Sequence, residues 1–131
     1  LLNESQKALD KGFYRLNGQY KKATYSDSII EDFISLFEVD NFYIKAIEKE
    51  EKTNINKFLQ IDYEIIEYDR KDPNKKQKDC KFCSGSILTT FKAEQKEIFK
   101  FYIDFNLYDK NEIDKRIDCT IKAYRNNVKK L

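Results

Sequence analysis

Several common residue types are missing from this 131-residue chain, and each absence narrows its possible functions. The chain contains no histidine, which removes Ser-His-Asp and Cys-His catalysis and the most frequent metal ligand. It has only three glycines and one proline, so collagen-like and low-complexity segments are excluded. No apolar run approaches the ~18 residues that a transmembrane helix needs. The sequence therefore predicts no membrane span and no histidine-based enzyme.

The residues that are present suffice for one packed domain over residues 1–131. Hydrophobic residues make up 40% of the chain, including nine tyrosines and ten phenylalanines, and a chain of this length buries about two-thirds of its unfolded surface. Charge is dense but balanced, with 25 basic and 23 acidic residues and a net charge of +2. We therefore expect no general attraction to nucleic acid or to anionic membranes.

Two helices are predicted near the start of the chain. The apolar residues of the first are three or four positions apart, which places them on one helix face: Leu9, Phe13, Leu16 and Tyr20. Glycines inside a helix cost about 1 kcal/mol each relative to alanine, so we attribute Gly12 and Gly18 to the close approach of a crossing strand. The second helix starts at the capping pair Ser28 and Glu31 and ends at residues 39–41.

From Phe42 the apolar period changes to two, which predicts a meander of antiparallel strands. The predicted strands are Phe42–Lys49, Lys57–Tyr68, Cys83–Phe91, Ile98–Tyr108 and Arg116–Tyr124. Polar turns at Glu48–Asn54 and Ala93–Lys96 form hairpin tips, and the charged segment Asp69–Lys81 is a solvated loop. The predicted fold class is α+β, with an N-terminal helix wrapped by a four- or five-stranded antiparallel sheet.

The residues give no sign of a redox, metal or cofactor site. Cys80 and Cys83 form a CxxC pair, but this pair lies between a loop and a strand, without the helix N-terminus that would stabilise a thiolate. A zinc site would need a second ligand pair, and only Cys119 remains. The acidic residues alternate with lysines in turns and on polar strand faces, which is typical of solvated charge. We therefore predict a non-enzymatic protein without cofactor.

The order of elements resembles the cystatin superfamily, and within it the cathelin-like prodomain of cathelicidins and the chemerin and latexin domains. The segments that carry the resemblance are Ala8–Asp10, Arg15–Asn17, Leu36–Asp40, Asn56–Ile65, Cys80, Phe82–Ser84 and Ile117–Cys119. The resemblance implies a secreted, cystatin-like domain that binds a protein partner. It also implies a disulfide between Cys83 and Cys119. Export would agree with a removed signal peptide before Leu1 and with the glycosylation sequon at Asn3.

Inhibitory cystatins block papain-like proteases with an N-terminal glycine segment, a Gln-x-Val-x-Gly hairpin and a Pro-Trp hairpin. Here no glycine precedes the predicted helix, and there is no tryptophan. The residues at the first hairpin are polar or charged: Glu50, Glu51, Lys52, Thr53 and Asn54. We therefore predict binding of a protein or peptide partner, of defence or signalling type, without papain inhibition. Binding would use an exposed sheet face, this hairpin, or the hairpin tip at Glu94 and Gln95.

Two alternatives remain open at this point. The first is a protease inhibitor that acts through other loops, as the resemblance to latexin-type domains allows. The second is a cytoplasmic interaction protein that neutralises a toxin, which the balanced charge and the abundance of Lys, Asn, Ile and Tyr permit. Thiol titration separates the compartments, because three free thiols favour the cytoplasm and one favours secretion.

Overall fold

The computed structural model describes residues 14–24, 28–48, 59–68, 84–106 and 108–129. Their elements are β1 (Tyr14–Lys21), α1 (Ile30–Phe33), α2 (Leu36–Glu48), β2 (Leu59–Glu67), β3 (Gly85–Ala93), β4 (Lys96–Phe105) and α3 (Lys110–Lys129). The strands form one four-stranded sheet in the order β1-β2-β3-β4. The β1–β2 pair is parallel and the other two pairs are antiparallel. The α+β class and the mostly antiparallel sheet are as predicted.

The central meander matches the sequence pattern. The predicted strands Lys57–Tyr68, Cys83–Phe91 and Ile98–Tyr108 correspond to β2, β3 and β4. Along β2, fully buried residues alternate with half-buried ones over the whole strand. This alternation arises because successive side chains of a strand point to opposite faces, and only one face lies in the core.

The predicted N-terminal helix is wrong in its described part, because residues 14–21 form strand β1. Half-buried and exposed residues alternate along β1, and its backbone pairs with β2 from Tyr14↔Leu59 to Lys21↔Ile66. The described helices therefore follow the first strand and do not precede the sheet. Pairing with β2 satisfies the backbone of a segment that Gly18 makes a poor helix.

Two further predicted strands are wrong, because Phe42–Lys49 falls on α2 and Arg116–Tyr124 falls on α3. The buried residues of both segments follow the helical period: Val39, Tyr43, Ala46 and Ile47 on α2, and Ile113, Ile117, Ile121 and Tyr124 on α3. Residues with this spacing lie on one helix face, so each helix buries a continuous apolar stripe against the sheet.

The helix start predicted at Ser28 and Glu31 also differs from the structure. Ile29 is the N-cap of α1 and makes no side-chain capping bond. The capping box instead belongs to Ser35 and Glu38 at the start of α2: Glu38 N donates to Ser35 Oγ at 3.1 Å, and Ser35 N donates to Glu38 Oε1 at 3.1 Å. This box satisfies two backbone donors that lack intrahelical partners, so the helix begins at Leu36. The predicted helix end at residues 39–41 is wrong, because α2 continues to Glu48.

The core lies between one face of the sheet and helices α2 and α3. Helix α2 packs beside β1, and α3 packs against β3, β4 and α2. Two ring stacks join the layers: Tyr43 of α2 lies 4.7 Å from Tyr63 of β2, and Tyr124 of α3 lies 4.2 Å from Phe91 of β3, measured between ring centroids. The residues on the other face of the sheet are exposed or half-buried, apart from the buried Ser86, and this face presents the candidate site.

Candidate functional site: the open face of the sheet

The side chains that point away from the helices form a regular surface, which we call the open face. Strand register places them in four rows running from β1 to β4. The rows are Arg15, Gln60, Lys92, Glu97; Asn17, Asp62, Thr90, Lys100; Gln19, Glu64, Leu88, Tyr102; and Lys21, Ile66, Ser86, Asp104. Most of these side chains are polar or charged, so the face is a hydrated surface with few apolar positions.

The first two rows, nearest the β3–β4 turn, form the hairpin end, where opposite charges are paired. Lys92 Nζ lies 2.8 Å from Asp62 Oδ2, and Gln60 Nε2 donates to Asp62 Oδ1 at 2.8 Å. Lys100 Nζ lies 3.4 Å from Glu97 Oε1. Burial opposes ionisation of Asp62, but the hydrogen bonds from Lys92 and Gln60 outweigh it and lower the pKa of this carboxyl. Each of the two carboxylates at the hairpin end thus lies beside a lysine.

The last two rows, together with Tyr68 beyond the end of β2, form the aromatic end. The Tyr68 hydroxyl donates to Asp104 Oδ1 at 2.8 Å and is also hydrogen-bonded to the Tyr102 hydroxyl. Burial, with the neighbouring Tyr102 and Asp104, raises the pKa of Tyr68, so this phenol remains a neutral donor at ordinary pH. The Tyr102 side chain is 42% exposed. This end therefore presents an aromatic ring and a carboxylate to solvent.

A cavity of about 330 Å³ lies between the two ends. Its wall is mostly charged and amide side chains, among them Asn17, Gln19, Asp62, Glu64 and Lys100. Small-molecule sites are usually enclosed and lined by apolar groups with few polar ones. The opposite composition here indicates a depression in a polar contact surface.

The predicted site residues Glu94 and Gln95 form the exposed two-residue turn between β3 and β4. Their φ angles are 54° and 67°. Two successive positive φ values are typical of a type I′ hairpin turn, which strongly prefers glycine and asparagine. Since neither is present, the tip keeps a backbone conformation that is costly for its residues. It directly adjoins the hairpin end, because only the pair Ala93 and Lys96 separates it from Lys92 and Glu97.

The other predicted site residues are separated from this surface or lie outside the described part of the chain. Glu50, Glu51, Lys52, Thr53 and Asn54, the sequon at Asn3, and Cys80 and Cys83 all lie outside it. Cys119 is a free, exposed cysteine on helix α3, not on the predicted strand. The disulfide between Cys83 and Cys119 stays a prediction.

One buried carboxylate, Glu67 at the end of β2, was not predicted from the sequence. It is 4% exposed and accepts hydrogen bonds from Ala23 N at 3.1 Å, Ile29 N at 2.9 Å and the Tyr108 hydroxyl at 3.0 Å. Burial opposes ionisation, but these donors prevail and lower the pKa of Glu67 to about 2. Glu67 therefore ties three segments together as an anion. The sequence contained one indication of this burial, since Glu67 continues the alternation of β2 and lies on the same face as the buried residues Leu59, Ile61, Tyr63 and Ile65.

The sequence analysis also did not predict the aromatic end. Tyr102 and Asp104 lie at the positions of a predicted strand that alternate with its apolar residues. Their proximity to Tyr68 depends on strand register, which the sequence pattern alone does not give.

The described residues contain no group of three or more Cys, Asp or Glu side chains arranged to hold a metal ion. Within the same ranges, no helix has the length and apolar character needed to cross a membrane. No family model, curated protein or solved structure matches the chain.

Proposed function

We propose that the protein is a non-enzymatic binding module that engages a protein or peptide partner through the open face. The observation that carries this proposal is a face of the four-stranded sheet that none of the described helices covers, next to a hairpin tip with two positive φ angles. Strained backbone is retained where the surroundings or a function require it. Here the strain lies at an exposed turn beside a broad polar surface.

The dimensions of the open face suit a macromolecular partner. Strands are about 4.8 Å apart and rise about 3.3 Å per residue, so four rows on four strands span roughly 14 by 20 Å. A stable interface uses about 20–30 residues a side. The open face and its adjoining turn comprise 18 residues, so they supply part of such an interface, whereas a small ligand would leave most of the face in water.

The charged groups of the hairpin end favour recognition over catalysis. A general base works best with a pKa near the operating pH, and the pKa of Asp62 is shifted in the opposite direction. Charged side chains at the edge of an interface mainly steer encounter and exclude wrong partners. The paired lysines and carboxylates are suited to that role.

Kinship with the cystatin superfamily and secretion stay predictions, and the binding role does not depend on either. A helix packed on a mostly antiparallel sheet is common to that family and to this chain. In the family the helix comes before the sheet, whereas here residues 14–21 are strand β1.

Substitution at the centre of the open face tests the proposal. Thr90 is half-buried in the wall of the cavity, so Thr90→Arg fills the depression. Asn126→Arg adds the same side chain at an exposed position of α3 and is the matched control. Tagged wild-type protein should retain partners from the cells that produce it. Thr90→Arg should lose those partners and Asn126→Arg should keep them, at equal thermal stability; equal retention by both variants would contradict the proposal.

A protease assay tests the prediction that the protein does not inhibit papain-like proteases. Without an apolar wedge, the protein should leave papain and cathepsins uninhibited at micromolar concentration. A nanomolar inhibition constant would overturn this expectation, and inhibition of another protease class would favour the alternative of an inhibitor with atypical loops.

A further inference from the structure

The two ends of the open face differ in how their charges are balanced. At the hairpin end, Lys92 and Lys100 each lie beside a carboxylate. At the aromatic end, Glu64 accepts from Gln19 Nε2 at 2.7 Å and Asp104 accepts from Tyr68 at 2.8 Å, both neutral donors. The salt bridges between described residues involve neither carboxylate.

Among the described residues of the open face, the cations nearest to Asp104 are Lys100, four positions earlier on β4, and Lys21, three strands away on β1. At about 3.3 Å per residue and about 4.8 Å per strand, these separations are roughly 13 and 14 Å, which is more than a Debye length at physiological salt. The Asp104 carboxylate therefore keeps its negative charge largely uncompensated within the described part of the chain.

Apolar and aromatic groups lie between the two carboxylates. Ile66 and Leu88 are half-buried on adjacent strands, and the Tyr102 ring is 42% exposed beside them. A carboxylate next to an exposed ring and aliphatic side chains is complementary to a long cationic side chain with an apolar stem.

A second observation concerns Ser86, which lies between Ile66 and Asp104 in the same row. Ser86 is 0% exposed, and its Oγ makes no hydrogen bond of good geometry among the described residues. It nevertheless lies close enough to the Tyr68 phenol to influence the pKa of that group. A buried hydroxyl without a well-formed hydrogen bond is uncommon in folded proteins. Here it lies beside the Tyr68 phenol, which donates to the Asp104 carboxylate.

We infer that the aromatic end binds an arginine side chain of the partner, with the guanidinium on the Asp104 carboxylate and stacked on Tyr102. This inference rests on the proposed function and specifies the chemistry of the partner. Arginine fits better than lysine because its planar group donates two parallel hydrogen bonds to a carboxylate and stacks on aromatic rings. Its aliphatic stem covers Leu88 and Ile66. A guanidinium on Asp104 releases the Tyr68 hydroxyl, which can then donate to Ser86 Oγ.

The test uses the whole chain, labelled with ¹⁵N, and a capped peptide of sequence Ala-Leu-Arg-Leu-Ala. Two matched peptides replace the arginine by citrulline, its neutral isostere, or by lysine. The arginine peptide should shift amide signals at the aromatic ends of β2 and β4. Its affinity should exceed that of the citrulline peptide by about fivefold or more, as expected for a lost ion pair and cation–π contact, with the lysine peptide in between.

Protein variants locate the contact. Asp104→Asn and Tyr102→Ala should each weaken arginine-peptide binding about fivefold, whereas Tyr102→Phe, which keeps the ring, should bind nearly as well as wild type. Asp32→Asn makes the same change of charge at an exposed position of α1, away from the open face, and should leave the affinity unchanged. Equal affinity of the arginine and citrulline peptides, or equal weakening by Asp104→Asn and Asp32→Asn, would overturn the inference.

The failure of this inference and the failure of the proposed function can be distinguished. If the arginine peptide does not bind but Thr90→Arg still abolishes partner capture, the arginine site is wrong and the binding face stands. If Thr90→Arg has no effect on capture and the arginine peptide shifts no signals at the aromatic end, both are wrong.

Discussion

The ring of Tyr63 on β2 lies directly against Gly18, its register partner on β1. A Cβ atom at position 18 would lie 2.1 Å from Tyr63 Cζ. The ring passes over the glycine to reach α2, where its hydroxyl is hydrogen-bonded to Asp40 and lies 3.2 Å from the Leu36 carbonyl oxygen. The missing side chain at Gly18 thus allows β2 to be tied to α2 across an intervening strand.

We expect Gly18→Ala to lower the free energy of unfolding by about 1–3 kcal/mol, the usual cost of overpacking a filled core. Urea denaturation of both proteins measures the difference. Asn17→Ala, at the neighbouring exposed position of β1, should change stability by less than about 0.5 kcal/mol. In the double variant Gly18→Ala with Tyr63→Leu, the two costs should not add, because the smaller side chain removes the clash. Strict additivity would show that the ring does not require the glycine.

Glu67 should make the protein sensitive to acid. Its folded pKa is about 2, below the ordinary value of 4.5, so the stabilisation is complete above pH 4.5 and is lost as pH falls towards 2. A shift of this size corresponds to about 3 kcal/mol.

The difference in unfolding free energy between wild type and Glu67→Gln isolates this contribution from those of other carboxyls. The difference should be constant from pH 5.5 to 7 and should shrink steadily on further acidification. A difference that does not change with pH would mean that the ionised form is not the one that binds Ala23, Ile29 and Tyr108.

The turn at Glu94 and Gln95 should be stabilised by glycine. Gln95 has a φ of 67°, which glycine adopts without steric cost. Gln95→Gly should therefore raise the free energy of unfolding by about 1 kcal/mol. Lys96→Gly, one position later and without a positive φ, should lower it, because glycine weakens a strand. If both variants are destabilised, the turn is not of the predicted kind.

The capping box of α2 should contribute measurably to stability. Ser35→Ala removes the oxygen that accepts from Glu38 N and should cost about 1 kcal/mol. Glu38 also forms an ion pair with Lys110 at 2.6 Å, at the start of α3. That pair is exposed, so Lys110→Ala should cost less stability than Ser35→Ala. Thermal unfolding followed by circular dichroism ranks the two variants, and a larger effect of Lys110→Ala would contradict this order.

The meander of β2, β3 and β4 could be predicted because apolar and polar residues alternate over long stretches there. Helix α3 could not, because Ile117 and Ile121 are four positions apart and fit both a strand and a helix. Ile113 and Tyr124 decide in favour of the helix, since all four residues are buried on one stripe. The opposite error arose in β1, where a strand was predicted as a helix. Leu16 and Tyr20 are also four positions apart, and this spacing fits both a helix and a strand.

The candidate site was predictable only where it is local. The turn at Glu94 and Gln95 could be predicted because it separates two stretches in which apolar and polar residues alternate. The aromatic end joins Tyr68 to Tyr102, which is 34 positions away, and their contact depends on the register of β2, β3 and β4. A pattern read along the chain identifies the faces of each strand, but it does not specify which residues of separate strands become neighbours.

The parallel pairing of β1 with β2 has a consequence for how the protein folds. Gln19 and Glu64, which are neighbours in the sheet, are 45 positions apart, whereas β3 and β4 are joined by a two-residue turn. Closing a long loop is entropically costlier than forming a hairpin, so the β3–β4 hairpin should assemble early and β1 should dock late. By the same reasoning β1 should be the first strand to detach, and its departure would uncover the hydrogen-bonding edge of β2 without breaking any other strand pair.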